Sequence, residues 1–496
     1  MKNHLSKAVI FGSSLVAFSG FGTVAQAQTS EWTQSFDPDP ILLHSIPNGM
    51  VHDASHYYVV VGCSGPPGAP LFASRNVTRR LLPSDDFYLY KYSASGTLQS
   101  SWRLADEDTT DLPMGAGSID YQFYKPVGIV TDGAGNFYTG GSYNCRTFQI
   151  PGWGEACCFL IKFTSAGFSS ATVYYPPNGQ GYTAAAILYG GDGNVYLTGS
   201  KIVSGVSHMV VEKFSPNSGL GGSEIMVGGN NTNGTCLTWY GGSTGTLIVG
   251  GSDTSNYALW TNSNEKTYAI NSIDGDTINS VVVNSSGQVY ATGLSQHLVT
   301  GSPNADDTTT VRSTLSGSDL GTIHLVQTIT GVHGDAGGIK VVIDPSSSDG
   351  KPIVECTNTV SGSQNLRVLK YTTTGTSPVW TQNVVRPTSG SGGSTILYQS
   401  SALSMESSVD NEHLYVTGTL QSYTGSGPWI PQFLISNLLL DDGGLDDGSY
   451  VWTANSGIYA SLPSGATGLT PSAMTVLRDG SSVDHIAISG GGTDTS

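Results

Sequence analysis

Positive charge is scarce in this chain. Its 496 residues hold 20 Lys and Arg against 37 Asp and Glu, a formal net charge of −17. Nucleic acid and anionic membrane surfaces select for the opposite balance, so both are excluded as expected partners. Charge of either sign is thin, at 11% of residues. Disordered chains carry more charge and less apolar content, so the composition points to a folded protein. Apolar runs of membrane length are missing: the longest, near the N-terminus, is short and broken by Gly and Ser. Cysteine is sparse, and its six copies show neither a CxxC pair nor the Cys/His spacing of a zinc site. There is no HExxH, and no nucleophile elbow leading from a strand into a helix. His52 and His56, with three residues between them, are the nearest approach to a metal pair, and they fall at a hairpin turn.

What the chain has in excess is glycine, 65 residues, with Ser, Thr, Val and Tyr in short alternating runs. That is the pattern of many strands and many turns. The first residues stand apart. Lys2 and Lys7 precede an apolar run that leads to Ala25-Gln26-Ala27. This reads as an export signal over 1–27, cleaved after Ala27, with a single domain over 28–496. The leader holds two Lys and no acid, so its removal takes the charge from −17 to −19. Export permits disulfides. Cys145 is expected to bridge Cys157 or Cys158, a vicinal 157–158 bridge being strained. Cys63, Cys236 and Cys356 lie in apolar strand patterns and read as buried thiols.

One unit recurs along the chain: a strand, a Gly/Asn/Asp turn, a second strand and a Gly. It is clearest as VGIVTDGAGNFYTGGS (127–142), AAILYGGDGNVYLTGS (185–200) and NSVVVNSSGQVYATGL (279–294), with about eight copies in all. Gly141, Gly199, Gly251, Gly293 and Gly418 are expected to end the second strand, where a Cβ would crowd a neighbour or φ must be positive. A second hairpin follows most copies, with Lys91, Lys162, Lys213 and Lys370 in matching places before an aromatic. Four strands per repeat of roughly sixty residues describe the blade of a β-propeller, here all-β with about seven or eight four-stranded blades. The fourth, fifth and seventh blades have degraded second hairpins, and the fifth lacks the Lys–aromatic pair. The last copy stops after one hairpin, near 491. The missing outermost strand stands at the other end of the chain, where Trp32-Thr33-Gln34 matches Trp380-Thr381-Gln382. The N-terminal strand is therefore expected to close the ring, in a last blade of three strands.

On these motifs the chain resembles the bacterial SBBP-type β-propeller repeat family. The shared features are a D-x-x-G-N-x-Y-x-T-G unit, then a [DF]-x-x-x-K-[FY]-x-x-x-G unit ending in a W-x-x strand. The resemblance spans nearly the whole mature chain. It implies the fold and an exported location, and it carries over no catalytic residue.

Binding residues concentrate on loops held by a rigid frame. The long loops join second to third strands or one blade to the next: 64–86, 105–126, 143–157, 295–309 and 420–431. They carry Arg75, Arg79, Arg80, Tyr143, Arg146, Trp153, Tyr423 and Trp429. Three Arg within six residues, in a chain poor in cations, suit a carboxylate or sulfate group, and nearby aromatics offer a stacking surface. The alternatives are buried loop anchors and surface pairing with Asp85, Asp86 and the acidic 106–111 stretch. Asp441, Asp442, Asp446 and Asp447 in DDGGLDDG are a candidate calcium group, set against the simpler reading of a solvated acidic turn. No other cofactor is expected. The leading functional expectation is a secreted, monomeric, non-catalytic propeller binding an extracellular glycan or protein. The alternatives are an extracellular hydrolase or lyase with its site in the ring channel, and a structural cell-surface component.

Overall fold

The computed structural model describes residues 6–15, 30–36, 44–64, 87–104, 121–146, 156–174, 181–216, 222–269, 275–297, 305–330, 337–360, 363–384, 397–408, 410–423, 430–443, 466–478 and 484–494. Within them every regular element is a strand. The strands form eight antiparallel sheets, of which seven have four strands or more. Blades 1 to 7 follow in chain order: 44–104, 121–174, 182–227, 232–268, 277–329, 337–384 and 397–439. Blade 8 joins 466–494 to the N-terminal strands. First strands neighbour one another from blade to blade, and that of blade 8 packs beside that of blade 1, so the ring is closed. Blade 5 carries a fifth short strand, and blade 7 shows three among the described residues.

A two-residue side-chain period lets each strand bury both faces when blades stack. Tyr58, Val60, Phe87 and Leu89 of blade 1 pack with Phe137, Phe159, Ile161 and Phe163 of blade 2. Tyr138, Cys158 and Leu160 of blade 2 pack in turn with Tyr182, Leu197 and Val210 of blade 3. The core is thus a series of inter-blade layers rather than one centre.

Every first strand carries a register shift in the same place. The residues passed over are Asn48, Val127, Ala185, Thr235, Asn279, Ile339, Leu403 and Ser472, one per blade. In six blades the second-strand residue opposite the last pair before the shift is Gly: 141, 199, 251, 293, 418 and 490. These glycines sit inside the second strands, not at their ends, as Gly141 does within Asn136–Arg146. Their φ is not the reason for glycine. A Cβ on Gly199 would sit 2.8 Å from the carbonyl carbon of Thr183 and 2.9 Å from the Cα of Ala184. The bulge presses first-strand backbone onto the second strand, and only a residue without a side chain fits.

Closure takes two N-terminal strands. Ser30–Phe36, the segment of Trp32, is outermost in blade 8, as Pro378–Val384 is in blade 6. It does not pair with the C-terminal hairpin. Ser6–Leu15 lies between, with Phe11 opposite both Thr33 and Ile488. Blade 8 therefore has four strands rather than the expected three, and its third comes from inside the segment read as an export leader.

Candidate functional site

The repeat's polar residues meet at the end of the ring where first strands turn into second strands. In blade 3, Asp192 Oδ2 accepts from the Tyr196 hydroxyl (2.7 Å), Asn194 Nδ2 (2.6 Å) and Lys213 Nζ (3.2 Å). Lys213 Nζ lies 5.7 Å from the centre of the Tyr196 ring. Burial opposes ionisation of Asp192, but these bonds outweigh it and hold its pKa below 3.8. Blade 1 repeats the bracket. Asp53 accepts from the backbone N–H of Ser55 and of His56 and from the Tyr58 hydroxyl, each at 2.8 Å. Lys91 lies over Tyr58 and reaches the Ser165 carbonyl of blade 2 at 2.6 Å. In blade 2 Asp132 accepts from Ala134 and Asn136, and Lys162 lies over Tyr138. In blade 6 Lys370 and Asp344 form a buried pair at 2.7 Å, and Lys370 donates to the Leu440 carbonyl of blade 7. Blade 5 keeps the geometry with other residues: Arg312 stands opposite Tyr290, where blades 1, 2 and 3 place Lys opposite Tyr.

Aromatic stacks tie one blade to the next at the same end. Tyr138 stacks on Tyr189, and Tyr196 on Trp239, each at 5.7 Å between centroids. His52 and His56 both serve the blade 1 turn, through the carbonyl and the carboxylate of Asp53 at 3.2 Å. Gly241–Gly245 spells G-x-S-x-G, but it is a hairpin turn between two strands and so no nucleophile elbow. The motif residues at this end hold blades together.

The inner wall is formed by the first strands. Its bulge residues are uncharged, and their polar members bond to the frame: Asn48 Oδ1 accepts from Gly62 N–H (2.9 Å), and Asn279 Nδ2 donates to the Gly338 carbonyl of blade 6 (2.9 Å). Blade 7 contributes one perturbed carboxyl group. Burial pushes Glu406 up to about 7, against the favourable charge of Lys340 and a hydrogen bond from the Val476 backbone. Lys340 also approaches Ser404 Oγ at 3.3 Å. Glycoside cleavage uses two facing carboxyl groups. Among the described residues, no second perturbed carboxyl group accompanies Glu406 on the first strands.

At the opposite end second strands finish and third strands begin. There Asp276, Gln296, Asp306 and Asp307 of blade 5 come together. Asp276 accepts from the Gln296 N–H (3.2 Å), and Asp306 accepts from its Nε2 (3.0 Å). Asp276 and Asp307 are buried. Among the described residues no three His, Cys, Asp or Glu converge as a metal cluster.

Arg75, Arg79, Arg80, Trp153, Trp429, Asp446 and Asp447 lie outside the described residues. Tyr143 and Arg146 fall in the last turn-distal positions of Asn136–Arg146, Tyr423 ends His413–Tyr423, and Asp441 and Asp442 are exposed in the turn after Ile430–Leu439. The cysteine expectation is corrected. Cys158, Cys236 and Cys356 are buried thiols in no disulfide. Cys157 faces Tyr143 in the ladder, so Cys145 is its diagonal neighbour. Such Cα atoms lie about 7–8 Å apart, beyond the reach of a disulfide. Cys158 instead packs into the layer between blades 2 and 3.

No family model matches the chain, and no curated protein matches it either. Solved structures that resemble it are propellers at low identity. Sqt1 from Chaetomium thermophilum is 10% identical, with 90% of this chain and 96% of that one covered and a TM-score of 0.42. The β-propeller domain of Nup133 from Vanderwaltozyma polyspora is 8% identical, covering 73% and 99%, at 0.34. The polysaccharide lyase Uly1 is 10% identical, covering 79% and 90%, at 0.36. The chain is a β-propeller whose structural neighbours include an enzyme alongside proteins whose names state no reaction.

Proposed function

We propose that this is an exported, non-catalytic propeller of the SBBP-repeat type that binds an extracellular glycan or protein through its long-loop face. One observation supports this most. The Asp, Tyr and Lys side chains that the repeat keeps are bonded to one another at the turn face. They account for the repeat without any ligand, and they leave recognition to the loops, which differ in length and sequence from blade to blade. Arg75, Arg79, Arg80 and Trp153 are the residues proposed to contact it. The test is a screen of the exported protein against glycans and host-surface proteins, repeated with Arg75, Arg79 and Arg80 all changed to Ala. The triple variant should lose binding with an unchanged melting temperature, and full retained affinity would move the site elsewhere.

A second reading rests on Glu406. A carboxyl group with a pKa near neutrality is suited to proton transfer, as a hydrolase or lyase needs. Turnover of any polysaccharide that is abolished by Glu406→Gln, in a variant that folds, would favour that reading over the first.

A further inference from the structure

Blade 8 is assembled in the order 30–36, 6–15, 484–494, 466–478. Residues 6–15 form the third strand, paired with 484–494 over ten residues from Ser6↔Thr493 to Leu15↔Asp484. Their other edge carries 30–36, which among the described residues pairs with nothing else. If the leader is cleaved after Ala27, this middle strand is the part that leaves.

The outer strand cannot simply move in. It is antiparallel to 6–15, which is antiparallel to 484–494, so 30–36 and 484–494 run in the same direction. Taking the vacated place would put a parallel pair into an antiparallel blade, or require the segment to reverse end for end. Only Gln28 and Thr29 would remain ahead of it to supply another strand. Cleavage thus leaves two facing edges about two strand spacings, or roughly 10 Å, apart. The inner edge is not a hydrated surface strand: Ile486, Ala487, Ile488 and Ser489 are all buried. An apolar edge with open N–H and C=O groups is a template for another strand.

We propose that export converts blade 8 into a strand-acceptor slot, which a partner protein fills with an extended, uncharged, apolar-rich segment of about ten residues running antiparallel to 484–494. The chemistry of the occupant is read from the strand that fills it before cleavage, AVIFGSSL within Ser6–Leu15. The inference rests on the export reading given above, and the first measurement tests that reading separately.

The experiment uses the protein recovered after export. Its intact mass establishes whether it begins at Gln28. It is then titrated with a synthetic peptide of residues 6–15 and with the same peptide carrying Ile10→Pro, while hydrogen exchange is followed across 485–491. The expected result is a chain beginning at Gln28 that takes up one peptide, with slowed exchange over 485–491. The proline peptide, lacking an N–H and mismatched to the ladder, should bind at least about ten-fold more weakly. Retention of residues 6–15 in the exported protein would overturn the proposal. So would a chain beginning at Gln28 that takes up no peptide, or one that binds both peptides equally.

Discussion

Changing Gly199 to Ala should damage the ring far more than its single methyl group suggests. The added Cβ would meet the Thr183 carbonyl carbon at 2.8 Å and the Ala184 Cα at 2.9 Å, with the Thr183 oxygen closer still. Ordinary carbon contacts begin near 3.5 Å, so backbone must move by about 1 Å. That backbone is held by the ladder on both sides of the bulge, Ala184↔Gly199 and Ala186↔Thr198. Overpacking alone costs about 1–3 kcal/mol. Loss of one or two ladder hydrogen bonds adds about 1 kcal/mol each, for a total of about 2–5 kcal/mol. With an unfolding entropy near 1 kcal/mol per kelvin for a cooperative chain of this length, the melting temperature should fall by about 2–5 °C. Gly229 provides the control, since nothing lies within 4 Å of its Cβ position. Gly229→Ala should be neutral or stabilising by up to about 1 kcal/mol. Calorimetry of the two variants and the parent decides the matter. A Gly199→Ala protein that melts with the parent would refute the bulge as the cause of the repeat's glycine.

Lys370→Met should destabilise by about 3–5 kcal/mol, because it strands the buried Asp344 carboxylate; equilibrium denaturation of the single and double variants measures the coupling. Glu212 is buried between blades 2 and 3, and burial with the nearby Glu224 pushes its pKa from 4.5 up to about 7, with Lys201 opposing. The folded state then holds its proton more tightly than the unfolded one. Its contribution is most favourable below about pH 4.5 and is lost as pH rises to about 7, so Glu212→Gln should flatten the decline and stabilise at neutral pH by about 1–3 kcal/mol. Burial pushes the Cys236 and Cys356 thiols up to about 12, so both should resist alkylation in the native protein at pH 8 and react after denaturation.

The architecture was legible because a repeat multiplies weak signals. Asp132, Tyr138 and Lys162 are unremarkable singly. Seen again as Asp192, Tyr196 and Lys213, they announce a bracket that the structure closes through shared hydrogen bonds and ring contacts. Gly199 and its counterparts were readable as crowded positions, but the bulge that crowds them was not. It is set by the skipped residue, which varies from Asn48 to Leu403 and so leaves no letter in the sequence. Arg312 was missed because the fifth blade replaces both the Lys and its following aromatic. The strand at 6–15 was hidden because an apolar run beside two Lys satisfies the requirements of export and of a buried strand equally well. The cysteine spacing in 145–158 suggested a short loop, whereas Cys157 and Cys158 lie in a third strand whose register sets the distances. The proposed ligand site was legible only as composition, since three nearby Arg on a loop mark a charge, not a geometry.

Recognition, as proposed, belongs to the loop face and not to the residues of the repeat. Its most direct test is ligand binding by a protein in which residues 65–86 are replaced by a short Asn-Gly turn, measured beside a Tyr196→Phe variant that alters the turn-face bracket of blade 3. The loop replacement should abolish binding to the ligand found in the screen, while the Tyr196→Phe protein should bind like the parent. Binding that survives loop replacement and is lost in Tyr196→Phe would contradict the proposal.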